Sequence, residues 1–303
     1  MKNILILGGG GFIGKNLLNF LNNKLKTPEY NVLIITSKPL TSHNNLTFDL
    51  KLNQVEEIKN LISDNKISII IHLVSGLIPS SNINDFNKEI ENVVEPSSKI
   101  FSYASKKGIK VIFVSSGGTI YKNSIYAHNE TDNLDAVSYY GQSKIMLEDS
   151  LRNLKKIANL NYVTLRPSNV YGKFFNLNSN QGLIPNTINN ILEKKPIVIW
   201  GDGSAKRDYL FVDDLSQSIL NFIKADDING EFNIASLSVH SVLDVVKLVE
   251  KKLNMTAQIT LRDKRKIDAA CSTLDIAKIK ETIDFHPLNL DFGLDQVIKN
   301  ISF

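Results

Sequence analysis

The sequence predicts a doubly wound α/β fold, with a parallel sheet covered by helices on both faces and a smaller, partly interleaved C-terminal lobe. Apolar runs and amphipathic stretches alternate from the first residue onward. The apolar runs are continuous rather than alternating, as in strands that are buried on both faces. Strand–helix–strand repetition implies parallel strands joined by right-handed crossovers. After about residue 169 this rhythm loosens, which indicates the second lobe.

Each predicted element follows from its apolar spacing. The strands predicted for the main sheet are Ile4–Leu7, Val32–Ile35, Ile69–Val74, Val111–Val114 and Tyr162–Leu165. The helices predicted between them are Phe12–Leu25, Val55–Ile62, Phe86–Lys107 and Ser138–Ala158. Beyond them we predict helices at 182–195 and 241–253 and short strands at 197–200 and 231–235. The main domain then spans residues 1–168, with 208–235 returning to it, and the lobe comprises 169–207 and 236–303.

Composition limits the possible partners. The formal net charge is +4, from 35 Lys and Arg against 31 Asp and Glu, and it is dispersed along the 303 residues. This excess is too small to indicate a nucleic acid or a membrane surface as partner, but it is compatible with a phosphorylated small molecule. A single cysteine, Cys271, excludes an intrachain disulfide and favours a cytoplasmic location. No metal site is predicted.

A glycine-rich segment follows the first strand. In LILGGGGFIG, Gly8, Gly11 and Gly14 lie between the strand and the helix that it precedes. Glycines at such a turn let the backbone approach a pyrophosphate, whose charge then lies at the helix N-terminus. The segment, including Phe12 and Ile13, is therefore predicted to bind a dinucleotide in a Rossmann-type domain.

The end of the second strand bears on the choice of cofactor. NAD-binding domains often carry a carboxylate there for the ribose 2′-hydroxyl, but this chain has Thr36, Ser37 and Lys38. A hydroxyl followed by Lys suits the 2′-phosphate of NADP. In the alternative interpretation Lys38 is solvated and NAD binds without the carboxylate. NAD and NADP both remain candidates.

Further cofactor contacts are predicted at other strand ends. Asp49 is a candidate for the adenine amino group, or else an aspartate of a surface turn. The fourth strand ends in small residues that would let the cofactor lie across its tip, whereas His72 on that strand is interpreted as structural. The other predicted cofactor-binding positions are Leu50, Leu73, Val74, Ser75, Pro167 and Val170.

The segment YYGQSK carries Tyr140 and Lys144 four residues apart, so both project from one face of a helix. A tyrosine with its ordinary pKa of about 10 is a poor base at neutral pH. A nearby ammonium group and a cofactor charge are expected to lower that pKa. The helix follows the strand that ends in SSGGTIY, where Ser116 and Thr119 supply hydroxyls. We therefore predict a catalytic tyrosine beside them.

These motifs together resemble the extended short-chain dehydrogenase/reductase superfamily, in its nucleotide-sugar epimerase/dehydratase branch that includes UDP-glucose 4-epimerases. The resemblance covers nearly the whole chain. The segments that carry it are GGGGFIG, HLVS, SSGGTIY, YGQSK, LRPSNVYG, GDGSAKRDYLFVDDL and RKID.

The resemblance implies catalytic roles. Tyr140 would take the proton of the sugar 4-hydroxyl while hydride leaves C4 for the nicotinamide, and Lys144 would hold the nicotinamide ribose and tune Tyr140. Many relatives carry the third catalytic group, a hydroxyl, at the position of Gly117. A subgroup of compact UDP-galactose 4-epimerases uses the preceding hydroxyl instead, which assigns the role to Ser116, with Thr119 in reserve.

The resemblance also implies a substrate site. Asn169 would touch the sugar or its phosphate, and Arg207 and Arg265 would clamp the diphosphate, for which a planar guanidinium is suited. Leu183 and Asp268 complete the predicted nucleotide-sugar contacts.

Residues discriminate among the reactions that relatives catalyse. A 4,6-dehydratase needs an Asp-Glu pair where this chain has Gly118 and Thr119, and a C3/C5 epimerase-reductase needs a cysteine and a histidine that are missing from the equivalent segments. A 4-epimerase with tightly held NAD is the favoured prediction. An NADPH-dependent reductase of a 4-keto nucleotide sugar is the main alternative, and a catalytically silent cofactor sensor is the third.

Relatives also imply a homodimer formed through the Phe86–Lys107 and Tyr140 helices. The apolar faces there include Ile90, Val94, Ile145 and Leu151, which fit an ordinary core equally well.

Overall fold

A computed structural model describes residues 2–24, 30–37, 45–122, 124, 126–175, 182–263 and 271–299 of the chain. The described strands are β1 (Lys2–Leu7), β2 (Tyr30–Ile35), β3 (Leu46–Phe48), β4 (Ile67–His72), β5 (Lys110–Val114), β6 (Tyr162–Pro167), β7 (Asn169–Tyr171), β8 (Pro196–Trp200), β9 (Lys206–Phe211), β10 (Gly230–Ile234), β11 (Val239–Ser241), β12 (Gln258–Arg262) and β13 (Cys271–Ser272). The helices are α1 (Phe12–Lys24), α2 (Val55–Asp64), α3 (Ile83–Glu89), α4 (Glu95–Lys106), α5 (Tyr139–Ala158), α6 (Leu183–Leu192), α7 (Val212–Lys224), α8 (Val242–Leu253), α9 (Ala277–Thr282) and α10 (Leu290–Ile298).

The predicted doubly wound sheet is confirmed. Among the described residues, seven strands lie side by side in the order β10-β6-β5-β4-β1-β2-β3, and all pairs from β3 to β6 are parallel. From β1 the chain adds β2 and β3 on one side of the sheet. It then crosses to the other side of β1, where it adds β4, β5 and β6 in turn. Ligands of such sheets bind beyond the carboxyl ends of the strands where the order reverses, here β1 and β4.

The sheet interior explains why the strands read as continuous apolar runs. Ile4 to Leu7 of β1 and Val111 to Phe113 of β5 are fully buried. Helices pack on the sheet with their apolar stripes inward, as Ile58 and Ile62 do in α2. Both sheet faces are covered, so neither face of a strand carries the polar residues of a half-exposed sheet.

The long helix predicted at Phe86–Lys107 has a different start and an interruption. It begins at Ile83, because Asn82 and Asp85 form a reciprocal capping box at its N-terminus. A π-helical turn at Ile90–Val94 separates α3 from α4, and the N–H of Glu95 bonds to the carbonyl of Ile90. Such turns insert a residue into a helix and often occur at functional sites.

Two compact units emerge from the contacts within the chain. The first consists of Met1–Lys122, Asn133–Arg166 and Ser216–Phe232, and the second of Asn123–Asp132, Pro167–Leu215 and Asn233–Phe303. The second unit has its own apolar core, to which α6, α8, α10 and strands β8 and β9 contribute. Helices α7, α9 and α10 were not predicted from the sequence. The domain limits derived from the sequence, residues 1–168 with 208–235 and residues 169–207 with 236–303, stay a prediction.

Within the part of the chain that the structure describes, no helix is both long and apolar enough to cross a bilayer. The same described residues contain no group of three or more His, Cys, Asp or Glu side chains placed to hold a metal ion.

Candidate active site

The glycine turn connects β1 to α1 in a conformation that depends on small residues. The N–H of Gly8 donates to the carbonyl of Ile35 at 2.9 Å, which ties the turn to the end of β2. A side chain at Gly14 would place its Cβ 2.5 Å from the Gly9 carbonyl oxygen. The first turn of α1, with Phe12 and Ile13 partly exposed, therefore packs directly on the backbone of the glycine segment.

A cavity of about 390 Å³ opens beside this turn, within the range of ~300–1,000 Å³ typical of small-molecule sites. It is formed by the ends of β1, β2 and β4, the segment after β3 and the π-helical turn. Its lining residues are Gly8, Gly11, Ile35, Thr36, Ser37, Leu50, Lys51, Leu52, Asn53, Leu73, Val74, Ser75, Asn92 and Val93. The structure therefore brings together half of the predicted cofactor-binding residues of the first unit, namely Gly8, Gly11, Ser37, Leu50, Leu73, Val74 and Ser75.

The β2 end of the cavity carries hydroxyl groups. Thr36 and Ser37 line it, and none of the described lining residues is Asp or Glu. Lys38 lies outside the described residues. Asp49 is exposed and is not part of the lining, whereas the next residue, Leu50, is. An adenosine ribose at this end would meet hydroxyls rather than a carboxylate, so the described residues fit a dinucleotide with or without a 2′-phosphate.

Helix α5 presents Tyr140 and Lys144. Ser138 caps the helix by accepting a hydrogen bond from the N–H of Gly141 at 3.2 Å. A Cβ at Gly141 would lie 2.4 Å from the Thr119 carbonyl oxygen, so only glycine lets the helix start pack this closely on the loop after β5. The Gly of YGQSK thus sets the approach of Tyr140 to that loop.

Lys144 is buried behind the end of β5. Its ammonium donates to the Val114 carbonyl at 3.1 Å and lies 5.0 Å from the Phe113 ring centroid and 5.7 Å from that of Tyr140. Burial lowers the pKa of Lys144 to about 8, although Glu89 and Glu148 act in the opposite direction. A lysine with such a pKa is easily shifted between its charged and neutral forms near neutral pH.

The hydroxyls of the loop after β5 converge on Tyr140. The Ser116 hydroxyl favours the phenolate of Tyr140, and Thr119 Oγ1 donates to Ser116 Oγ at 2.9 Å. The pKa of Tyr140 is nevertheless raised, mainly by burial and also by Glu89, because Ser116 offsets only part of this. The expectation that the pKa falls is therefore wrong for the protein by itself, because desolvation of the phenolate outweighs its favourable partners.

A buried polar network, which no sequence motif predicted, anchors the same loop from the side of α5 and β6. Glu148 accepts from Ser115 Oγ at 2.6 Å and from Arg166 Nη2 at 2.6 Å. Arg166 Nη1 donates to the Tyr121 hydroxyl at 2.6 Å. The network ties α5, β6 and both ends of the SSGGTIY segment together, so the hydroxyls are held in place from both sides.

Five predicted site residues lie in the described part of the second unit. Asn169 is exposed and its side-chain amide donates to the Asp208 carbonyl at 2.9 Å. Arg207 is partly buried and donates to the Lys206 carbonyl at 2.8 Å. The other three are the buried Pro167 and the partly buried Val170 and Leu183. Arg265 and Asp268 lie outside the described residues.

Fold and site together define a class of protein. The strand order and the glycine turn after β1 are those of dinucleotide-binding sheets, and a tyrosine and a lysine one helical turn apart follow the strand that ends in hydroxyls. This combination is that of a short-chain dehydrogenase/reductase. The chain belongs to the NAD dependent epimerase/dehydratase family, whose model matches residues 4–235. It is therefore an enzyme that uses NAD or NADP.

Individual relatives span nearly the whole chain. The dTDP-4-dehydro-6-deoxyglucose reductase of Escherichia coli is 31% identical over 98% of this chain and 97% of its own length. A Thermotoga maritima UDP-glucose 4-epimerase solved with UDP-glucose superposes with a TM-score of 0.89 at 26% identity, covering 98% of this chain and 97% of its own. MoeE5, solved with UDP-glucuronic acid and NAD, superposes with a TM-score of 0.85 at 25% identity, covering 98% of both chains.

Proposed function

We propose that this enzyme transfers hydride reversibly at C4 of a nucleoside diphosphate sugar and acts as a 4-epimerase. The observation that carries the proposal is the convergence of Ser116, Tyr140 and Lys144 at the end of β5. A base, a hydroxyl close to it and a buried cation are the groups that take and return the proton when a hydroxyl is reversibly oxidised, while a bound dinucleotide would accept the hydride. The 4-epimerase structure that superposes on the chain supports the same reaction.

The proposed roles follow from the contacts of each side chain. Tyr140 removes the proton of the sugar 4-hydroxyl. It returns the proton after the 4-keto sugar has rotated to present its opposite face. Ser116 hydrogen-bonds to Tyr140 and stabilises charge on the same sugar oxygen, with Thr119 orienting the Ser116 hydroxyl. The Lys144 ammonium favours the phenolate of Tyr140. The bound nicotinamide supplies the hydride acceptor.

The nucleotide part of the substrate is assigned to the second unit. We propose that Asn169 contacts the sugar or its phosphate, that Arg207 binds the diphosphate and that Leu183 packs on the substrate. Arg265 and Asp268 are proposed to complete that site. The relatives named above act on or bind UDP and dTDP sugars, so a pyrimidine nucleotide is the expected carrier.

A second candidate is the NADPH-dependent reduction of a 4-keto nucleotide sugar. Two observations favour it. The relative that is 31% identical over nearly the full chain is a 4-keto sugar reductase. The described lining of the cofactor cavity also has hydroxyls and no carboxylate at the β2 end, as a 2′-phosphate would prefer. Tyr140 would then donate its proton to the carbonyl oxygen.

Cofactor identification distinguishes the two candidates. Mass spectrometry of nucleotide released from the purified protein is expected to show NAD, and UDP-glucose or UDP-N-acetylglucosamine is expected to epimerise with no added cofactor. Release of NADP, together with stoichiometric NADPH consumption only when a dTDP-4-keto-6-deoxy sugar is supplied, would establish the reductase instead. Failure to bind either dinucleotide would contradict both.

We further propose a cytoplasmic homodimer that pairs α3–α4 and α5 with their copies. Val94 and Leu151 are buried within one chain and thus belong to its core. Exposed apolar side chains on these helices are Ile83, Tyr139, Met146 and Ile157, at 48%, 37%, 39% and 80% exposure. These, rather than the buried pair, would form the contact, and the molar mass in solution tests the proposal.

A further inference from the structure

A buried carboxylate that no sequence motif singles out lies at the end of β4. Glu89, the last residue of α3, is only 4% exposed. Its Oε2 accepts from the Gly76 N–H at 2.9 Å and its Oε1 accepts from the Ser75 hydroxyl at 3.2 Å. Burying a carboxylate costs desolvation free energy unless hydrogen bonds or an opposite charge compensate for it. The placement of Glu89 at the end of β4 therefore needs an explanation.

The helix that carries Glu89 also lines the cofactor cavity. Asn92 and Val93, on the π-helical turn that follows Glu89, are lining residues, and Ser75 on the opposite strand end is another. Glu89 therefore joins two walls of this cavity, one from β4 and one from the interrupted helix. Loss of its two hydrogen bonds would loosen the Ser75–Gly76 backbone at the cavity edge.

Glu89 also differs electrostatically from the other carboxylate near the pair. Glu148 acts on Lys144 as well, but it forms a 2.6 Å ion pair with Arg166. The hydrogen-bond donors on Glu89 are a hydroxyl and a backbone N–H, which are uncharged. His72 faces Lys144 from β4, and burial and Lys144 lower its pKa to about 3, so it is neutral. Burial raises the pKa of the Glu89 carboxyl, while the Gly76 N–H, the Lys144 ammonium and the Ser75 hydroxyl lower it in turn. Glu89 therefore depends on Lys144 for its charge, and it acts on both Lys144 and Tyr140.

We propose that Glu89 is a positioning residue, which fixes the Ser75–Gly76 strand end through its two hydrogen bonds and serves as the electrostatic partner of the buried Lys144 ammonium. The inference rests on the proposed roles of Tyr140 and Lys144. Glu89 acts in the same direction on both groups, because a carboxylate disfavours the phenolate and favours the ammonium. Removing its charge should therefore shift the active pH range downward at both limbs.

The test removes the charge of Glu89 and keeps the shape of its side chain. Glu89→Gln preserves the side-chain volume, and Glu91→Gln is the matched control, because Glu91 is exposed and lies two residues further along the same helical segment. The Lys144 ammonium is titrated by NMR of the lysine side chains in the cofactor-free protein, from about pH 6 to about pH 10. The resonance is assigned by its absence in Lys144→Arg. This readout needs neither substrate nor turnover.

In Glu89→Gln we expect the pKa of Lys144 to fall by roughly half a unit to one unit, with Glu91→Gln unchanged. The alkaline limb of the turnover profile should move to lower pH by a similar amount. A Lys144 titration that is the same in Glu89→Gln and the wild type would overturn the proposal. If no sugar nucleotide is turned over, the reaction assigned above fails, while the lysine titration still decides the role of Glu89.

A second variant displaces the carboxylate without removing it. A Cβ at Gly76 would lie 2.8 Å from Glu89 Oε2, so Gly76→Ala should push the carboxylate out of its place. The Lys144 titration should shift in the same direction as in Glu89→Gln. If Glu89→Gln fails to fold and Gly76→Ala leaves the titration unchanged, the proposal is equally refuted.

Discussion

At the scale of single residues, the phenol of Tyr140 is the group on which the proposed chemistry depends. Tyr140→Phe removes the proton acceptor and the partner of Ser116 and keeps the ring against Lys144. We expect turnover to fall at least ~10²-fold, since a positioned acid–base group contributes about that much, with little change in cofactor binding. Turnover and bound nucleotide are measured on the same preparation.

Tyr139→Phe is the control for that prediction. Tyr139 is the neighbouring tyrosine, is 37% exposed and stacks on Phe86 with ring centroids 5.1 Å apart, a contact that phenylalanine keeps. Its turnover should match the wild type. Equal loss in both variants, or survival of activity in Tyr140→Phe, would contradict the assignment of the base.

His72 makes stability depend on pH in a specific direction. It is fully buried, lies 2.7 Å from Ser97 Oγ and has its pKa lowered to about 3, mainly by burial. Above the ordinary pKa of 6.5 its contribution to stability is fully present. As pH falls from there toward 3, the unfolded chain takes up a proton that the folded one refuses, so stability falls by up to ~1.4 kcal/mol per pH unit.

Denaturant unfolding at neutral pH and near pH 4.5 checks this expectation. The difference in the free energy of unfolding between the two conditions should be smaller in His72→Gln than in the wild type. His286→Gln, at an exposed position, should keep the wild-type difference. An undiminished difference in His72→Gln would show that His72 is not the group that titrates.

At the scale of elements, the start of α5 decides where Tyr140 lies. Ser138 accepts the N–H of Gly141, which would otherwise lack a helical partner. Ser138→Ala should lower the free energy of unfolding by ~1 kcal/mol, a typical loss for an N-cap, and should reduce turnover because the first helical turn carries the base. Ser138→Asp keeps an acceptor and should retain both, so equal behaviour of the two variants would contradict the capping role.

The secondary-structure elements also show how much local sequence patterns can predict. The main strands and helices were predicted to within a few residues, since apolar periodicity reports on one element at a time. The π-helical turn was not, because nothing in IENVV distinguishes it from ordinary helix. Glu89 did carry a signal: it lies three residues after Phe86 and four before the buried Val93, on the apolar stripe of its helix.

At the scale of the whole molecule, the family assignment agrees with the motifs from which it was predicted. The glycine turn, SSGGTIY and YGQSK are short segments in which residue type and spacing already specify a chemistry. The choice between epimerisation and reduction is harder to predict from the sequence, because it depends on which cofactor and which sugar the side chains select. The reductase relative and the hydroxyl-lined cavity end together give the alternative to epimerisation its physical basis.

The amino-acid sequence alone determined the parallel sheet, the dinucleotide turn and the spacing of Tyr140 and Lys144, because these depend on neighbours a few residues away. Tertiary structure decided what surrounds the pair. The Ser115–Glu148–Arg166 network, the raised pKa of Tyr140 and the burial of Glu89 against Gly76 arise where segments distant in the chain exclude water together. Desolvation of a charge is a property of such packing, and no local pattern of residues contains it.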